Sequence, residues 1–170
     1  MIRVAGIARD SIVDGPGIRT TVFVQGCPHH CPGCQNPETW PFDGGTEMSP
    51  EAIFESIRQN PLCRGVTFSG GEPFAQAEAL LPLADLLKAA GYELASYTGY
   101  TFERLLGGTP GQRQLLQRVD VLIDGPFLLS ERSLDLNFRG SRNQRVLSVP
   151  LSLAEGRAIP ETSPRWLGEY

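Results

Sequence analysis

The chain carries the stretch TTVFVQGCPHHCPGC at residues 20–34, and the predicted fold extends outward from it. The first six residues are rich in β-branched and aromatic side chains, which are typical of a β-strand. The strand runs directly into a loop that holds Cys27, Cys31 and Cys34 in a C-x3-C-x2-C spacing. Two prolines and Gly33 suit a loop that wraps tightly around a compact group. We therefore expect a strand followed by a metal-binding loop.

Helical and strand patterns alternate along the rest of the chain. Ser49 and Pro50 mark a helix start, because Ser is a favoured N-cap and Pro is tolerated at the first helical position. Pro82 interrupts the early part of a long helical pattern, so we expect that helix to begin near Leu81. The patterns predict strands at 20–25, 64–69, 92–97, 119–124 and 145–149, and helices at 50–60, 76–90, 102–106 and 112–118.

The order of these elements indicates the fold class. Strands that alternate with helices are typical of βαβ units and a parallel sheet. The chain has 170 residues, fewer than the ~250 of a complete eight-stranded barrel. We therefore expect an α/β fold, an incomplete parallel (βα) barrel of about five or six strands, over residues 1–150. Residues 151–170 contain Pro160 and Pro164, and we expect them to form a loosely ordered C-terminal tail.

Composition and charge exclude several classes of protein. Apolar residues make up 41% of the chain and charged residues 20%, as in ordinary globular proteins. The net charge of −4 argues against general nucleic-acid binding, which leaves a basic footprint. The chain has no apolar run of about 18 residues or more, and its first ten residues lack the apolar core of a signal peptide. We therefore expect a cytoplasmic protein with neither a nucleic acid nor a membrane as partner.

Three thiolates on one loop can bind three irons of a four-iron cluster and leave the fourth iron open to an outside ligand. A zinc site completed by His29 or His30 is one alternative, although zinc ligands usually come as two separated pairs. A loop without any metal is another alternative. Cys63 lies behind a predicted helix, 29 residues after Cys34, and we interpret it as a buried structural thiol. We interpret both histidines as loop residues.

A second landmark, SGGEP at residues 69–73, follows the next predicted strand. Together with the cysteine spacing, it resembles the radical SAM superfamily, whose hallmark is a C-x3-C-x2-C loop after the first barrel strand. The resemblance implies a 4Fe–4S cluster on the three loop cysteines. It also implies S-adenosylmethionine on the open iron, cleaved by reduction to methionine and a 5′-deoxyadenosyl radical. Gly70, Gly71 and Glu72 would bind the methionine amino group, since glycines allow a close backbone approach and a carboxylate attracts an ammonium.

Further motifs narrow this resemblance to the glycyl-radical-enzyme activases. DGPGIR at residues 14–19 is similar to a motif of that family. Gly33 stands where many superfamily members place an aromatic residue against adenine, so we expect backbone groups around Gly33, Cys34 and Gln35 to contact the adenine. Within that family, several segments of this chain are similar to the activases of anaerobic ribonucleotide reductase. They are CPGC (31–34), Asn36, Trp40, TGY (98–100), VLIDGPF (121–127) and RGSRNQ (139–144).

The resemblance implies an enzyme that takes a hydrogen from a backbone glycine of anaerobic ribonucleotide reductase. Flavodoxin or ferredoxin would be the electron donor. Because the cofactor carries the chemistry, we nominate no separate catalytic residue of the protein. Three alternatives stay open: an activase of another glycyl radical enzyme, a small radical SAM enzyme with a different substrate, and a non-enzymatic iron–sulfur or zinc-binding module.

Three other features allow two interpretations each. The turn at residues 14–17 is either a plain turn before a strand or a surface for the partner's glycyl loop. Asp124 ends a predicted strand, where barrel enzymes place active-site groups, and it either belongs to a plain strand end and turn or touches a ligand or the substrate loop. We interpret three arginines as a solvated face or as an anion-pairing group, and binding of the cofactor carboxylate or of the partner is the alternative. These residues are Arg139, Arg142 and Arg145.

Overall fold

A computed structural model describes residues 1–168 of the chain. These residues form a mixed α/β fold around one sheet of seven strands. The strands are β1 (Ile2–Ser11), β2 (Arg19–Val24), β3 (Thr46–Met48), β4 (Gly65–Gly70), β5 (Glu93–Tyr97), β6 (Val121–Asp124) and β7 (Arg145–Ser148). Their order across the sheet is β3-β1-β2-β4-β5-β6-β7.

The centre of the sheet is parallel and its edges are antiparallel. Strands β2, β4, β5 and β6 run parallel, as predicted. Strands β1 and β3 add to one side antiparallel, and β7 adds to the other side antiparallel. The prediction of an all-parallel sheet is therefore wrong at both edges. Strand β1 is missing from the predicted elements because Gly6, Arg9 and Asp10 interrupt its apolar pattern. Its pairing with β2 shifts in register at the same places, between Val4 and Gly6 and between Ala8 and Ser11.

The helices described within residues 1–168 are α1 (Pro50–Arg58), α2 (Ala77–Ala89), α3 (Phe102–Leu106), α4 (Pro110–Arg118), α5 (Val149–Glu155) and α6 (Pro164–Leu167). The Ser49 hydroxyl accepts a bond from the Ala52 N–H at 3.1 Å, so the predicted cap of α1 is confirmed. Pro82 lies inside α2, so the predicted start near Leu81 is wrong. Tertiary packing stabilises α2 despite this proline, since its apolar side is fully buried. None of these helices combines the length and hydrophobicity needed to cross a membrane.

The sheet has two unlike faces, because successive strand residues point to opposite sides. On the helix-covered face, Phe68, Leu94 and Leu122 pack among the buried apolar side chains of α1, α2 and α4. The opposite side, here called the cavity face, has a small apolar cluster in which Ala95 and Ile123 meet Trp166. The main hydrophobic core therefore lies on the helix-covered face, and the cavity face is left for polar side chains.

The last described residues are ordered, contrary to the prediction of a loose tail at 151–170. Trp166 in α6 is 2% exposed, and its ring packs edge-on against Phe138 at 5.3 Å. Pro160 forms a bridge with Leu147, and Pro164 occupies the first turn of α6, where a proline is tolerated. The prediction is therefore wrong for residues 151–168, while residues 169–170 lie outside the described part.

Candidate functional site

A cavity of about 470 Å³ lies on the cavity face at the carboxyl ends of β2, β4, β5 and β6. Parallel strands bring their carboxyl ends to the same edge of a sheet, so loops that are distant in sequence meet there. This volume is in the range of small-molecule sites. The residues that line it include Cys27, Cys31, Cys34, Ser69, Gly70, Gly71, Thr98, Gly99 and Gly125.

The cysteine loop begins directly after β2 and turns back on itself. The Cys27 N–H donates to the Trp40 carbonyl at 3.1 Å, which closes the loop at its base. The Cys34 N–H donates to the Cys31 carbonyl at 3.0 Å. Gly33 has a φ of 77° in this turn, a left-handed conformation that glycine adopts without steric cost. The turn brings all three cysteines to the cavity, as the sequence predicts.

The sulfur atoms of Cys34 and Cys27 have different surroundings. The Cys34 sulfur accepts a bond from the Asn36 N–H at 3.4 Å. Cys27 is 8% exposed, and its burial raises the pKa of its thiol, while the backbone N–H groups of His29 and His30 lower that pKa by a smaller amount. Because metals bind the thiolate, the Cys27 thiol gives up its proton when it binds a metal.

These residues fit a 4Fe–4S cluster better than a single metal ion. Each cysteine of such a cluster binds its own iron, so the thiols surround the group and do not meet at one point. Within residues 1–168, no three Cys, His, Asp or Glu side chains converge to hold one ion. His29 is bonded to Glu72, and His30 stacks on Trp40 at 4.6 Å, so both histidines have other partners. Trp40 lines the cavity, and its indole N–H has no partner among the described residues, which leaves a donor for a bound group.

Cys63 lies at the other end of the strands. Its thiol donates to the Gly65 carbonyl at 3.2 Å and contacts the Thr20 hydroxyl at 3.5 Å. Thr20 precedes the end of β2 at Val24 by four residues, so roughly 13 Å of strand separates this region from the cysteine loop. This position and the 4% exposure of Cys63 support the interpretation as a structural thiol.

The protein backbone itself requires Gly70 and Gly71. A Cβ on Gly70 would lie 2.6 Å from backbone atoms of Val24, and a Cβ on Gly71 would lie 2.3 Å from the Gly26 carbonyl oxygen. Both glycines line the cavity, but the close approach that they permit is to the end of β2 and the base of the cysteine loop. Their contact with a methionine amino group stays a prediction.

Glu72 is fully buried and surrounded by donors. Its Oε2 accepts bonds from the Phe74 N–H at 3.0 Å and the Thr98 hydroxyl at 2.9 Å. Its Oε1 accepts bonds from the Gly99 N–H and from His29 Nε2, each at 2.7 Å. Glu72 is absent from the described residues that line the cavity, so a direct bond to the methionine amino group stays a prediction. The carboxylate joins the cysteine loop to the loops after β4 and β5.

The residues predicted to surround the adenine have different positions. Cys34 and Gln35 line the cavity. Gly33 lies outside the lining, and a Cβ at this position would be 2.8 Å from the Leu129 side chain. Gly33 is thus needed for the turn and for the contact with Leu129, and its contact with adenine stays a prediction.

The DGPGIR turn precedes β2 and is held by a buried arginine, while its role as a surface for the partner's glycyl loop stays a prediction. Arg19 is 1% exposed, and its guanidinium donates to the Glu93 carboxylate at 2.8 Å and to the Thr67 hydroxyl at 3.0 Å. The same guanidinium lies 5.3 Å from the centre of the Trp166 ring. Asp14, at the start of the turn, lines the cavity. The bonds of the buried Arg19 therefore hold the turn in place, and Asp14 of the same turn forms part of the cavity wall.

Asp124 and the nearby arginines have different roles. Asp124 is 1% exposed and accepts bonds from the Arg145 guanidinium. Arg145 also pairs with Glu103 at 2.8 Å. The bonds to Asp124 and then to Glu103 raise the pKa of Arg145, and the bond to Arg145 lowers the pKa of Glu103. The anion-pairing interpretation thus applies to Arg145, whereas Arg139 lines the cavity.

The sequence did not reveal two residues that organise the site. The bond from His29 to Glu72 is a tertiary contact, and its only signal in the sequence is a histidine between two cysteines. The Tyr97 hydroxyl donates to the Phe138 carbonyl at 2.7 Å, and burial raises the pKa of Tyr97. Both rings line the cavity, so the loop after β6 closes over it.

Known proteins resemble this chain over most of its length. A family described as "4Fe-4S single cluster domain" matches residues 13–147. The anaerobic ribonucleoside-triphosphate reductase-activating protein of Vibrio cholerae is 36% identical over 143 residues, which cover 79% of this chain and 90% of that protein. The protein of the same name from Escherichia coli K12 is 35% identical, with 79% and 91% covered.

Two further matches are more distant or less complete. The pyruvate formate-lyase-activating enzyme of Clostridium pasteurianum is 38% identical over 129 residues, which cover 72% of this chain and 51% of that enzyme. The crystal structure of QueE from Escherichia coli shares the fold, with a TM-score of 0.52, 23% identity and coverage of 72% and 69%. Taken with the cysteine loop and its cavity, these matches show that the chain belongs to the radical SAM superfamily, in the family of glycyl-radical-enzyme activases, and is an enzyme that uses a 4Fe–4S cluster and S-adenosylmethionine.

Proposed function

We propose that this enzyme generates a glycyl radical on an anaerobic ribonucleotide reductase. The observation that carries the proposal is that the cysteine loop and the Gly70–Gly71 turn line one cavity. Relatives that match this chain over about nine tenths of their length are activating proteins of anaerobic ribonucleoside-triphosphate reductase. The shared cavity supports a site for a cluster beside a small organic ligand, and the names of the relatives support the reductase as the target.

The proposal assigns roles to the residues around the cavity. Three thiolates hold the cluster and leave one iron open. With both bound, the cluster and S-adenosylmethionine supply the electron and the 5′-deoxyadenosyl radical that removes a hydrogen from the glycine. Gly70, Gly71 and Glu72 orient the methionine amino group, and Gly33, Cys34 and Gln35 flank the adenine. The cluster ligands are Cys27, Cys31 and Cys34.

The position of the cavity leaves room for a protein substrate. Val13, which lines the cavity, is 71% exposed, and Gln35 in the cavity wall is also exposed. The cavity is therefore accessible from this side, and we assign to it the entry of the partner's glycine. In this proposal the four parallel strands curve as an incomplete barrel around the cofactor, within a radical SAM domain at residues 1–150.

A pyruvate formate-lyase is the second candidate target. The observation that favours it is the relative from Clostridium pasteurianum, which is named as a pyruvate formate-lyase-activating enzyme. This chain spans about half of that relative's length, whereas it spans most of the reductase-activating relatives. The difference in coverage ranks the reductase first.

Electron paramagnetic resonance of the anaerobically reconstituted protein tests the proposal. The reduced enzyme is mixed with S-adenosylmethionine and either an anaerobic ribonucleotide reductase or a pyruvate formate-lyase. We expect a glycyl radical on the reductase that depends on S-adenosylmethionine. A radical on the lyase alone would select the second candidate. A protein that takes up iron but does not release 5′-deoxyadenosine on reduction would contradict both.

The electron donor is part of the same proposal. We assign a flavodoxin or a ferredoxin to this role and expect either protein to replace a chemical reductant in the assay. The rate of 5′-deoxyadenosine release with each donor measures this directly. Failure of both donors, alongside success with a chemical reductant, would contradict the assignment of the donor and leave the target unaffected.

A further inference from the structure

We propose that His29 is a positioning residue, which fixes the cysteine loop against the Glu72 carboxylate and so sets where the cluster stands relative to the Gly70–Gly71 turn. The inference rests on the proposed binding of the cluster by the loop cysteines. It assigns to His29 neither an iron nor a proton-transfer step. Its role is to keep the cysteine loop at a fixed position relative to the Gly70–Gly71 turn.

The contact from His29 to Glu72 is short and buried on the acceptor side. His29 Nε2 lies 2.7 Å from Glu72 Oε1, and the exposed fraction of the Glu72 side chain is zero. A carboxylate only accepts hydrogen bonds, so the imidazole presents an Nε2 proton to it. Hydrogen bonds to charged groups in such surroundings are stronger than neutral ones. The contact therefore restrains the cysteine loop between Cys27 and Cys31.

Glu72 itself is held rigidly, so it can act as a fixed reference point. Its carboxylate accepts bonds from Phe74 N–H, the Thr98 hydroxyl and Gly99 N–H. Its backbone N–H donates to the Gly26 carbonyl at 2.8 Å, directly before the first cysteine. The loops after β2, β4 and β5 thus meet at one carboxylate.

The neighbours of the imidazole are shaped to receive it. A Cβ on Gly99 would lie 2.5 Å from the His29 ring, so glycine is required here by the histidine. The Tyr100 ring packs edge-on against His29 at 4.5 Å. A residue that merely filled a loop would need neither a glycine beneath its ring nor an aromatic ring packed against it. This fit supports a role in which His29 bonds to Glu72 and binds no metal.

A matched control is available in the next residue. His30 belongs to the same loop and is exposed, but it stacks on Trp40 and makes no contact with Glu72. Its φ of 48° is left-handed, a conformation that asparagine tolerates well. His30→Asn therefore changes a histidine of the cysteine loop while the contact to Glu72 stays in place.

The experiment compares wild type, His29→Ala, His29→Gln and His30→Asn after anaerobic reconstitution. It measures iron content, the dissociation constant for S-adenosylmethionine, and the change that S-adenosylmethionine causes in the electron paramagnetic resonance spectrum of the reduced cluster. For His29→Ala we expect iron content near that of wild type, about ten-fold weaker binding of S-adenosylmethionine, and a diminished spectral change. His29→Gln should recover most of both losses, since its amide also donates, and His30→Asn should resemble wild type.

Gly99→Ala tests the same contact from the other side. The added methyl group displaces the His29 ring, so this variant should show the losses of His29→Ala although it changes neither partner of the bond. Combining Gly99→Ala with His29→Ala should then add little, as expected for residues that act through one contact.

The possible outcomes separate the inference from the proposed function. Wild-type binding and spectra in His29→Ala would overturn the inference alone. Loss of iron in His29→Ala, with wild-type iron content in His30→Asn, would also overturn it, because His29 would then be needed to bind the cluster and not to set its position. A wild-type cluster that does not respond to S-adenosylmethionine would overturn the proposed function together with the inference.

Discussion

The two faces of the sheet bury side chains of different chemistry. On the helix-covered face, the buried residues of β4 are Val66 and Phe68, which pack among leucines. On the cavity face, the same strand presents Thr67, which bonds the buried Arg19. Strands buried on both sides usually carry continuous apolar runs, and this sheet departs from that rule mainly on the cavity face. From this comparison we expect stability to come chiefly from the helix-covered face, while the cavity face is organised by polar contacts around a cavity.

Substitutions of the four cysteines should show the largest difference between the cavity face and the helix-covered face. Cys27→Ala, Cys31→Ala and Cys34→Ala each remove one thiolate at the cavity, so we expect loss of the cluster and complete loss of the glycyl radical signal. Iron analysis and electron paramagnetic resonance measure both. Cys63 lies among the residues of the helix-covered face, and Cys63→Ala should keep the cluster. Loss of the cluster in Cys63→Ala would mean that no iron is left open, against the proposed mechanism.

Two phenylalanines on neighbouring strands compare the faces directly. Phe68 is fully buried against the helices, whereas Phe23 is half-buried and lines the cavity. We expect Phe68→Ala to lower the free energy of unfolding by about 4 kcal/mol, because it empties space in a close-packed core. Phe23→Ala should cost about half as much. Urea unfolding of the apo-protein measures both, and equal losses would show that the two faces contribute alike.

Trp166 tests how the C-terminal segment, residues 149–168, covers the cavity face. Its ring packs on Arg19 and Phe138, so Trp166→Ala should lower the free energy of unfolding by about 3 kcal/mol. It should also expose the segment to proteolysis. Leu167→Ala is the control, since the neighbouring side chain is 47% exposed and should change the free energy of unfolding little. A neutral Trp166→Ala would restore the prediction of a loose tail.

The smallest expected effect concerns the ion pair between Glu103 and Arg145. The bond from Arg145 lowers the pKa of Glu103 in the folded protein. A carboxyl group with a lowered folded-state pKa stabilises the fold above its unfolded pKa, near 4.3, and this contribution is lost as the pH falls through the folded value. The Glu103 side chain is 56% exposed, so Glu103→Gln should cost only about 0.5 kcal/mol at pH 7.

The measurement is urea unfolding of wild type and Glu103→Gln at a series of pH values. The difference between the two should shrink as the pH falls, because wild-type Glu103 becomes neutral as well. A difference that is constant with pH would mean that the substitution acts through shape and not through charge.

Local patterns were sufficient for the elements whose signals lie close together in sequence. Ser49 and Pro50 predict the start of α1, and the β-branched run before Cys27 predicts β2 within one residue at each end. Elements whose stability depends on distant partners were predicted less well. Strand β1 has a mixed pattern and forms because β2 and β3 pair with it, and α2 runs through Pro82 because its apolar side is buried. The antiparallel edges carry no local signal of direction.

By itself, the sequence predicted the cluster loop and, through the resemblance to a known superfamily, determined the kind of chemistry, because the spacing of three cysteines and the Gly-Gly-Glu run are local features. Only the tertiary structure decided which groups meet at Glu72. His29, Thr98 and Gly99 come from loops that the parallel strands bring to one edge. A buried carboxylate needs donors from whichever segments surround it, and those segments become neighbours only when the sheet has formed.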